Sequence, residues 1–339
     1  MSNTNSICIL GAGSWGTAIA VLLAKKGYQV KLWSAVPDEI KMLRENREHK
    51  FRLPGVILPS NIEIVDDLEK ACKDNLLIVF AVASPFIRQT AKNACPYIKE
   101  GTILVNVSKG IEDKTFLTLS QIIEEEIPQA KSCVLSGPSH AEEVSRSIPT
   151  VVVAGAKDKE DAVLIQDVFM ADNFRVYTSP DVMGIELGGA IKNVIALAAG
   201  VIDGLGFGDN TKAALITRGI LEISRLGEAM GTRAQTFYGL SGIGDLIVTC
   251  TSNHSRNHNA GYFIGQGHSV DEALKMVGQV VEGVNCAKAA KNLADKYNVN
   301  MPIVEQINKV LFEGVSPTDG LNALFTRAKN TEYMFTDWD

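Results

Sequence analysis

The sequence predicts a doubly wound α/β domain followed by an all-helical domain, and three observations carry that reading. First, an apolar strand opening at Ser6 runs directly into Gly11-x-Gly13-x-x-Gly16, followed by an amphipathic helix over Thr17–Lys26 and a second strand over Gln29–Trp33. Second, strand-like and helical patterns alternate through the first half, as in a sheet built from βα units. Third, the texture changes after Ser179-Pro180, where strand runs vanish and helical periodicity takes over. The boundary is therefore expected near Pro180, with one domain over 1–180 and a second over 181–339.

The glycine spacing has a physical reading. Gly11 permits a tight turn, Gly13 lets backbone N–H groups approach a pyrophosphate, and Gly16 lets helix pack on strand. The start of the helix then offers unpaired N–H donors to phosphates. Placed between strand and helix, this motif predicts a Rossmann-type dinucleotide site. Further along, Asn75–Val82, Thr102–Val107, Lys131–Ser136 and Thr150–Ala154 read as strands, with a short last one over Phe174–Tyr177. Their apolar runs suit strands buried on both faces of a parallel sheet. Between them, Pro85–Ala94, Lys114–Glu126 and Lys159–Met170 carry helical periodicity, and ligands are expected at the carboxyl ends of the strands. In the second half Val182–Val201, Thr211–Met230, Ser269–Val277 and Val284–Tyr297 read as helices, with two more over Val304–Phe312 and Gly320–Ala328.

Bulk properties narrow the function classes. A chain of 339 residues exceeds one typical core. A formal charge of −6 and the lack of a basic run argue against a nucleic-acid partner. The N-terminal residues lack signal-peptide order, and the apolar stretch Leu187–Ile202 carries Lys192 and Asn193, so it reads as a buried helix and no membrane insertion is expected. Six cysteines without CxxC spacing suit a reducing cytoplasm.

Lys192 lies in a long apolar helix with Gly188, Gly189, Ala196 and Ala199 at helical spacing. Small neighbours leave room for another backbone or a ligand, and desolvation would lower the amine's pKa toward proton transfer. The alternative is a lysine whose stem packs while its head reaches water. Lys109 closes the strand Thr102–Val107, where it could hold an anionic substrate or polarise a carbonyl, or simply open a solvated turn. Leu135-Ser136-Gly137-Pro138-Ser139-His140-Ala141 follows another strand and suits an anion cradle leading into a helix over Ala141–Arg146. A Ser139 hydrolase is discounted because there is no G-x-S-x-G elbow. Asp245 sits in a Gly-rich turn, either as a helix N-cap or as the partner of a catalytic lysine. Ser255-Arg256-Asn257 supplies a hydroxyl, a planar cation and an amide suited to a phosphate monoester. His254 and His258 find no third ligand motif, so no metal site is expected. Glu282 either contacts a ribose or adenine hydroxyl or favours a helix start.

Taken together, these motifs resemble the bacterial NAD(P)-dependent glycerol-3-phosphate dehydrogenases from about Ile7 to Arg327. The resemblance is carried by Leu10-Gly-Ala-Gly-Ser-Trp-Gly-Thr17, Asn106-Val-Ser-Lys-Gly110, Leu135-Ser-Gly-Pro138 and Gly188-Gly-Ala-Ile-Lys-Asn-Val194. It continues through Asp203-Gly-Leu-Gly-Phe-Gly-Asp-Asn210, Ala214-Leu-Ile-Thr-Arg218, Gly244-Asp245, Ser255-Arg-Asn257 and Val281-Glu-Gly283. The resemblance implies that sn-glycerol 3-phosphate and dihydroxyacetone phosphate are interconverted with NAD or NADP, supplying the phospholipid backbone. It implies Lys192 as proton donor and acceptor, Asp245 as its acidic partner, and Lys109 as shared by cofactor and substrate. Gly137, Ser139, Ser255, Arg256 and Asn257 match substrate contacts; Ser14, Trp15, Ala141, Val280 and Glu282 match cofactor contacts, with Arg256 also near the cofactor. Three departures stand out. Ala35 replaces a basic or ring-bearing residue at the end of the second strand, His140 stands where Phe is usual, and Ala81-Val-Ala83-Ser-Pro85 shifts a proline. With no acidic residue at 33–35 either, NAD and NADP stay open.

Two other functions fit the architecture. One is a dehydrogenase acting on another hydroxy or sugar acid, which the Ser-Arg-Asn set disfavours. The other is a non-catalytic dinucleotide sensor, against which Lys192, Lys109 and Asp245 speak jointly. A homodimer is expected only because two-fold assemblies are common.

Overall fold

The computed structural model describes residues 5–329, 331 and 332. Its first half follows β1 (Ser6–Leu10), α1 (Ser14–Lys25), β2 (Gln29–Trp33), α2 (Pro37–Asn46), β3 (Ile62–Val65), α3 (Leu68–Cys72), β4 (Leu77–Phe80) and α4 (Ile87–Ala94). Next come β5 (Ile103–Asn106), α5 (Leu119–Glu126), β6 (Lys131–Ser136), α6 (Ala141–Ser145), β7 (Thr150–Gly155), α7 (Lys159–Phe169) and β8 (Phe174–Ser179). The strands form one sheet in the order β3-β2-β1-β4-β5-β6-β7-β8. Order reverses beside β1, so a crevice opens at the carboxyl ends of β1 and β4.

The expected doubly wound sheet is present, with elements that the sequence reading passed over. α2, β3 and α3 lie between the second and third expected strands. α2 has Pro37 at its first turn with Asp38 and Glu39 behind it, a favourable helix start. β3 is only four residues long. The helix expected from Lys114 begins instead at Leu119, because Thr118 and Gln121 form a capping box. Not every strand pair is parallel: β7 runs antiparallel to β6 and parallel to β8. The link from β6 to β7 carries only the short α6, which packs beside α1 instead of crossing the sheet. The residues from Gly137 onward therefore stay at the crevice end.

After β8 the chain is helical among the described residues: α8 (Val182–Gly204), α9 (Asp209–Ala229), α10 (Ala234–Phe237), α11 (Asp245–Thr251) and α12 (Arg256–Gly265). They are followed by α13 (Val270–Val277), α14 (Glu282–Lys296), α15 (Pro302–Phe312) and α16 (Pro317–Phe325). α8 is the axis of this half, packed by α9, α11, α12 and α14. Its apolar stretch is long enough to cross a membrane but is wholly buried in protein. Its small residues are explained by backbone contact. A Cβ on Gly200 would lie 1.9 Å from the carbonyl oxygen of His258, and one on Gly188 would lie 2.8 Å from that of Ser241.

The two halves are stapled by a buried carboxylate. Glu186 of α8 accepts from Asn106 Nδ2 at 2.8 Å and from the Ser120 backbone N–H at 2.9 Å, and Ser120 Oγ also donates to it. This fixes the start of α8 against the ends of β5 and α5, aiming its next two turns along the crevice.

Candidate active site

A cleft of 860 Å³ separates the halves. The sheet half contributes the Gly-rich turn. Gly11 has φ +119° and packs so closely that a Cβ would meet Ala81 backbone at 2.7 Å, while a Cβ on Gly16 would lie 1.9 Å from Gly11 O. Neither glycine lines the cleft; they shape the turn. Gly13, Ser14 and Trp15 do line it. The first N–H groups of α1 lack intrahelical partners at this edge. A Cβ on Gly13 would stand 3.5 Å from Arg52 Nη1 and would occupy space a pyrophosphate needs. The turn thus fits a dinucleotide.

The helical half contributes the floor. Lys192, on the third turn of α8, is buried, and its Nζ donates to Asp245 Oδ1 and Thr249 Oγ1, each at 2.6 Å. It does not reach out to water. Lys109, at the end of β5, donates to the other carboxylate oxygen, Asp245 Oδ2, at 2.6 Å and to Gly137 O at 3.1 Å. One carboxylate therefore holds two ammoniums, leaving the cluster with a net positive charge. Each ammonium has three donors and spends two here, so each retains one for a ligand.

Burial is the main force lowering the Lys192 pKa, with Asp245 opposing the fall and Lys109 adding to it, and the amine ends at about 8. Burial also works against ionising Asp245. The two ammoniums outweigh it and hold the carboxyl below its ordinary value.

Asp245 is not an N-cap. It is the first residue of α11, with Gly244 preceding it, and its side chain faces the lysines. A wide turn over Leu240–Gly244 delivers it, with Gly242 pressed so tightly that a Cβ would meet Phe237 O at 2.1 Å. Thr249 was not singled out by sequence. It sits four residues after Asp245, hence on the same helical face, and its hydroxyl donates back to Asp245 O at 2.6 Å.

Around the rim, Ser139, Ala141, Ser255, Arg256, Asn257, Val280 and Glu282 all line the cleft, whereas Gly137 lies behind Lys109. Ser255 caps α12, accepting from the His258 backbone N–H at 3.2 Å. Arg256 is exposed and makes no side-chain hydrogen bond or ion pair among the described residues. Asn257 is engaged already: its Nδ2 donates to Asn193 Oδ1 at 2.9 Å and its Oδ1 accepts from Gly283 N–H at 2.8 Å. Glu282 reaches across the cleft to accept from Ser84 N–H at 3.1 Å and Ser84 Oγ at 2.5 Å. His258 Nε2 donates to Asp203 Oδ2, 2.8 Å away, whereas His254 faces His140. The two histidines do not converge.

Sequence reasoning also missed cations supplied by and after α2. Arg52 lines the cleft beside Gly13, and Lys41 and Arg44 line a cavity of 420 Å³ that includes Ser34 and Ala35. Arg44 is paired with Asp66 at 3.0 Å. Their spacing from the strand carried no signal because α2 itself was not read.

Comparison with known proteins finds relatives along nearly the whole chain. Two family models match: the N-terminal region of NAD-dependent glycerol-3-phosphate dehydrogenase over residues 6–162, and its C-terminal region over 181–322. The chain is 56% identical to a glycerol-3-phosphate dehydrogenase (NAD(P)+) of Agathobacter rectalis over 330 residues, covering 97% of this chain and 98% of that one. It is 53% identical over 333 residues to a protein of the same description from Moorella thermoacetica, covering 98% and 99%. The crystal structure of glycerol-3-phosphate dehydrogenase from Coxiella burnetii superposes with a TM-score of 0.93 at 35% identity, covering 96% of this chain and 99% of that one.

Proposed function

The chain belongs to the NAD-dependent glycerol-3-phosphate dehydrogenase family, and from that premise we propose how its cleft interconverts sn-glycerol 3-phosphate and dihydroxyacetone phosphate with NAD or NADP. The observation that carries the reading is the Lys192–Asp245–Lys109 cluster on the floor, facing a rim with an unpartnered Arg256. Bound reduced cofactor supplies the hydride. Lys192 uses its remaining N–H to give a proton to the ketone oxygen at the middle carbon, and takes it back in oxidation. Asp245 holds the amine in line, and Thr249 takes its second N–H, so the third points to the substrate. Lys109 stabilises negative charge growing on the same oxygen. Arg256, Ser255, Ser139 and the spare amide hydrogen of Asn257 bind the phosphate, whose remote binding energy positions the reacting carbon. Gly11, Gly13, Ser14, Trp15, Gly16, Ala141, Val280 and Glu282 form the cofactor side, with Arg256 and Lys109 shared; Gly137 supports Lys109.

In this reading residues 1–180 form the dinucleotide-binding domain, which lends Lys109 and Ser139 to the substrate, and 181–339 the substrate-binding and catalytic domain, which lends Val280 and Glu282 to the cofactor. The product serves phospholipid synthesis, and the six free cysteines suit action in the cytoplasm. A homodimer is the expected assembly. The test follows reduced-nicotinamide absorbance with dihydroxyacetone phosphate, using NADH and NADPH separately. Turnover with at least one supports the assignment; binding of both without turnover would leave a dinucleotide sensor.

A further inference from the structure

His140 has no part in that chemistry, yet it stands in the same cleft as Lys192 and Arg256. It occupies the turn between β6 and α6, and its Nε2 is buried without a hydrogen-bond partner. Its ring meets that of His254 at 5.8 Å and 57°, and His254 is two residues before Arg256. Lys192 of α8, Lys109 after β5, Asp245 of α11 and Glu142 in the first turn of α6 all act on its charge. Buried polar atoms in folded proteins are normally satisfied, so an orphaned ring nitrogen on a residue that lines the ligand cleft points to a partner that arrives with the ligand.

We propose that His140 is a further substrate-binding residue, its imidazole contacting the phosphate-bearing end of the three-carbon substrate between Lys192 and Arg256. This rests on the glycerol-3-phosphate reading of the cleft. Burial, followed by the Lys192 charge, lowers the His140 pKa, so the ring is neutral near pH 7 and offers one donor. A phosphate dianion beside it has the opposite effect and favours the protonated ring, which offers two. Substrate binding therefore takes up a proton at His140. Its contribution to affinity grows as pH falls through the range where the bound complex is protonated and the free protein is not. A phenylalanine, usual at this position in the resembling family, fills the ring's space and donates nothing.

The test compares wild type, His140→Phe and His140→Gln in the reduction of dihydroxyacetone phosphate across about pH 5.5 to 8. His140→Phe is expected to raise KM about tenfold near the acid end while kcat changes less than about threefold. His140→Gln keeps a neutral donor, so its KM matches wild type at the alkaline end and rises toward the acid end. Calorimetry of sn-glycerol 3-phosphate binding in buffers of different ionisation enthalpy should show greater proton uptake by wild type than by either variant. The phosphate's own ionisation is common to all three proteins and cancels. Equal KM profiles and equal proton uptake would overturn the proposal, as would a change confined to kcat. Should the Phe variant not fold, the Gln variant and wild type still decide it. A wild type inactive on dihydroxyacetone phosphate sinks the activity reading itself; an active wild type with indistinguishable variants sinks only His140.

Discussion

The floor of the cleft and its rim are built on opposite terms. On the floor, Lys192 and Asp245 are buried and answer one another, with Lys109 and Thr249 completing the set. At the rim, Ser14, Trp15 and Ser139 are half-buried, and Arg256 is exposed and unpartnered among the described residues. The floor is assembled without a ligand, with one donor left on each ammonium, and holds a proton at a defined place. The rim has donors waiting. Removing a floor group strands a buried charge and stops the chemistry, whereas removing a rim group should cost binding alone.

The sharpest way to break this contrast is Lys192→Ala. Turnover should fall about 10³-fold, the scale of a lost general acid, while dinucleotide affinity by fluorescence titration stays within about threefold. Retained turnover would remove the amine from proton transfer. Arg256→Ala comes next, with KM for dihydroxyacetone phosphate rising about 10²-fold, as for a lost charged hydrogen bond. Unphosphorylated dihydroxyacetone should be used as before; an equal loss with both would move Arg256 away from the phosphate.

The pH dependence should follow the floor. Reduction needs Lys192 protonated, so its rate should be level below about 8 and fall tenfold per pH unit above, while oxidation rises to a plateau. A flat profile across that range would detach Lys192 from the rate. The smallest effect is at Asn257, a rim residue whose amide is, as on the floor, already engaged within the protein. Asn257→Ala strips Gly283 N–H and Asn193 of a partner, so thermal unfolding should show a loss of about 1–3 kcal/mol. Its KM effect should be smaller than that of Arg256→Ala; the reverse ranking would make phosphate binding, not internal hydrogen bonding, the main role of Asn257.

Legibility followed how locally each feature is encoded. The β1–turn–α1 unit was readable because its glycine spacing is itself the geometry: Gly11 and Gly16 touch each other and Ala81. The long apolar α8 was equally plain. The segment between Trp33 and Asn75 was not read, since α2 is mostly polar on its outer faces and β3 is four residues long. Arg52, Lys41 and Arg44 were lost with it.

What the chain determined unaided was the identity of its chemical groups and the periodicity that seats them on strand ends and a buried helix. Those depend on neighbours a few residues away, which backbone propensity and hydrophobic burial decide directly. Only tertiary structure decided which cation meets which carboxylate. Lys109 and Lys192 lie 136 and 53 residues from Asp245, and their joining rests on the Glu186 staple and the glycine contacts of α8. Long-range charge pairing of that kind leaves no periodic trace, because it arises from packing between elements and not from order within one.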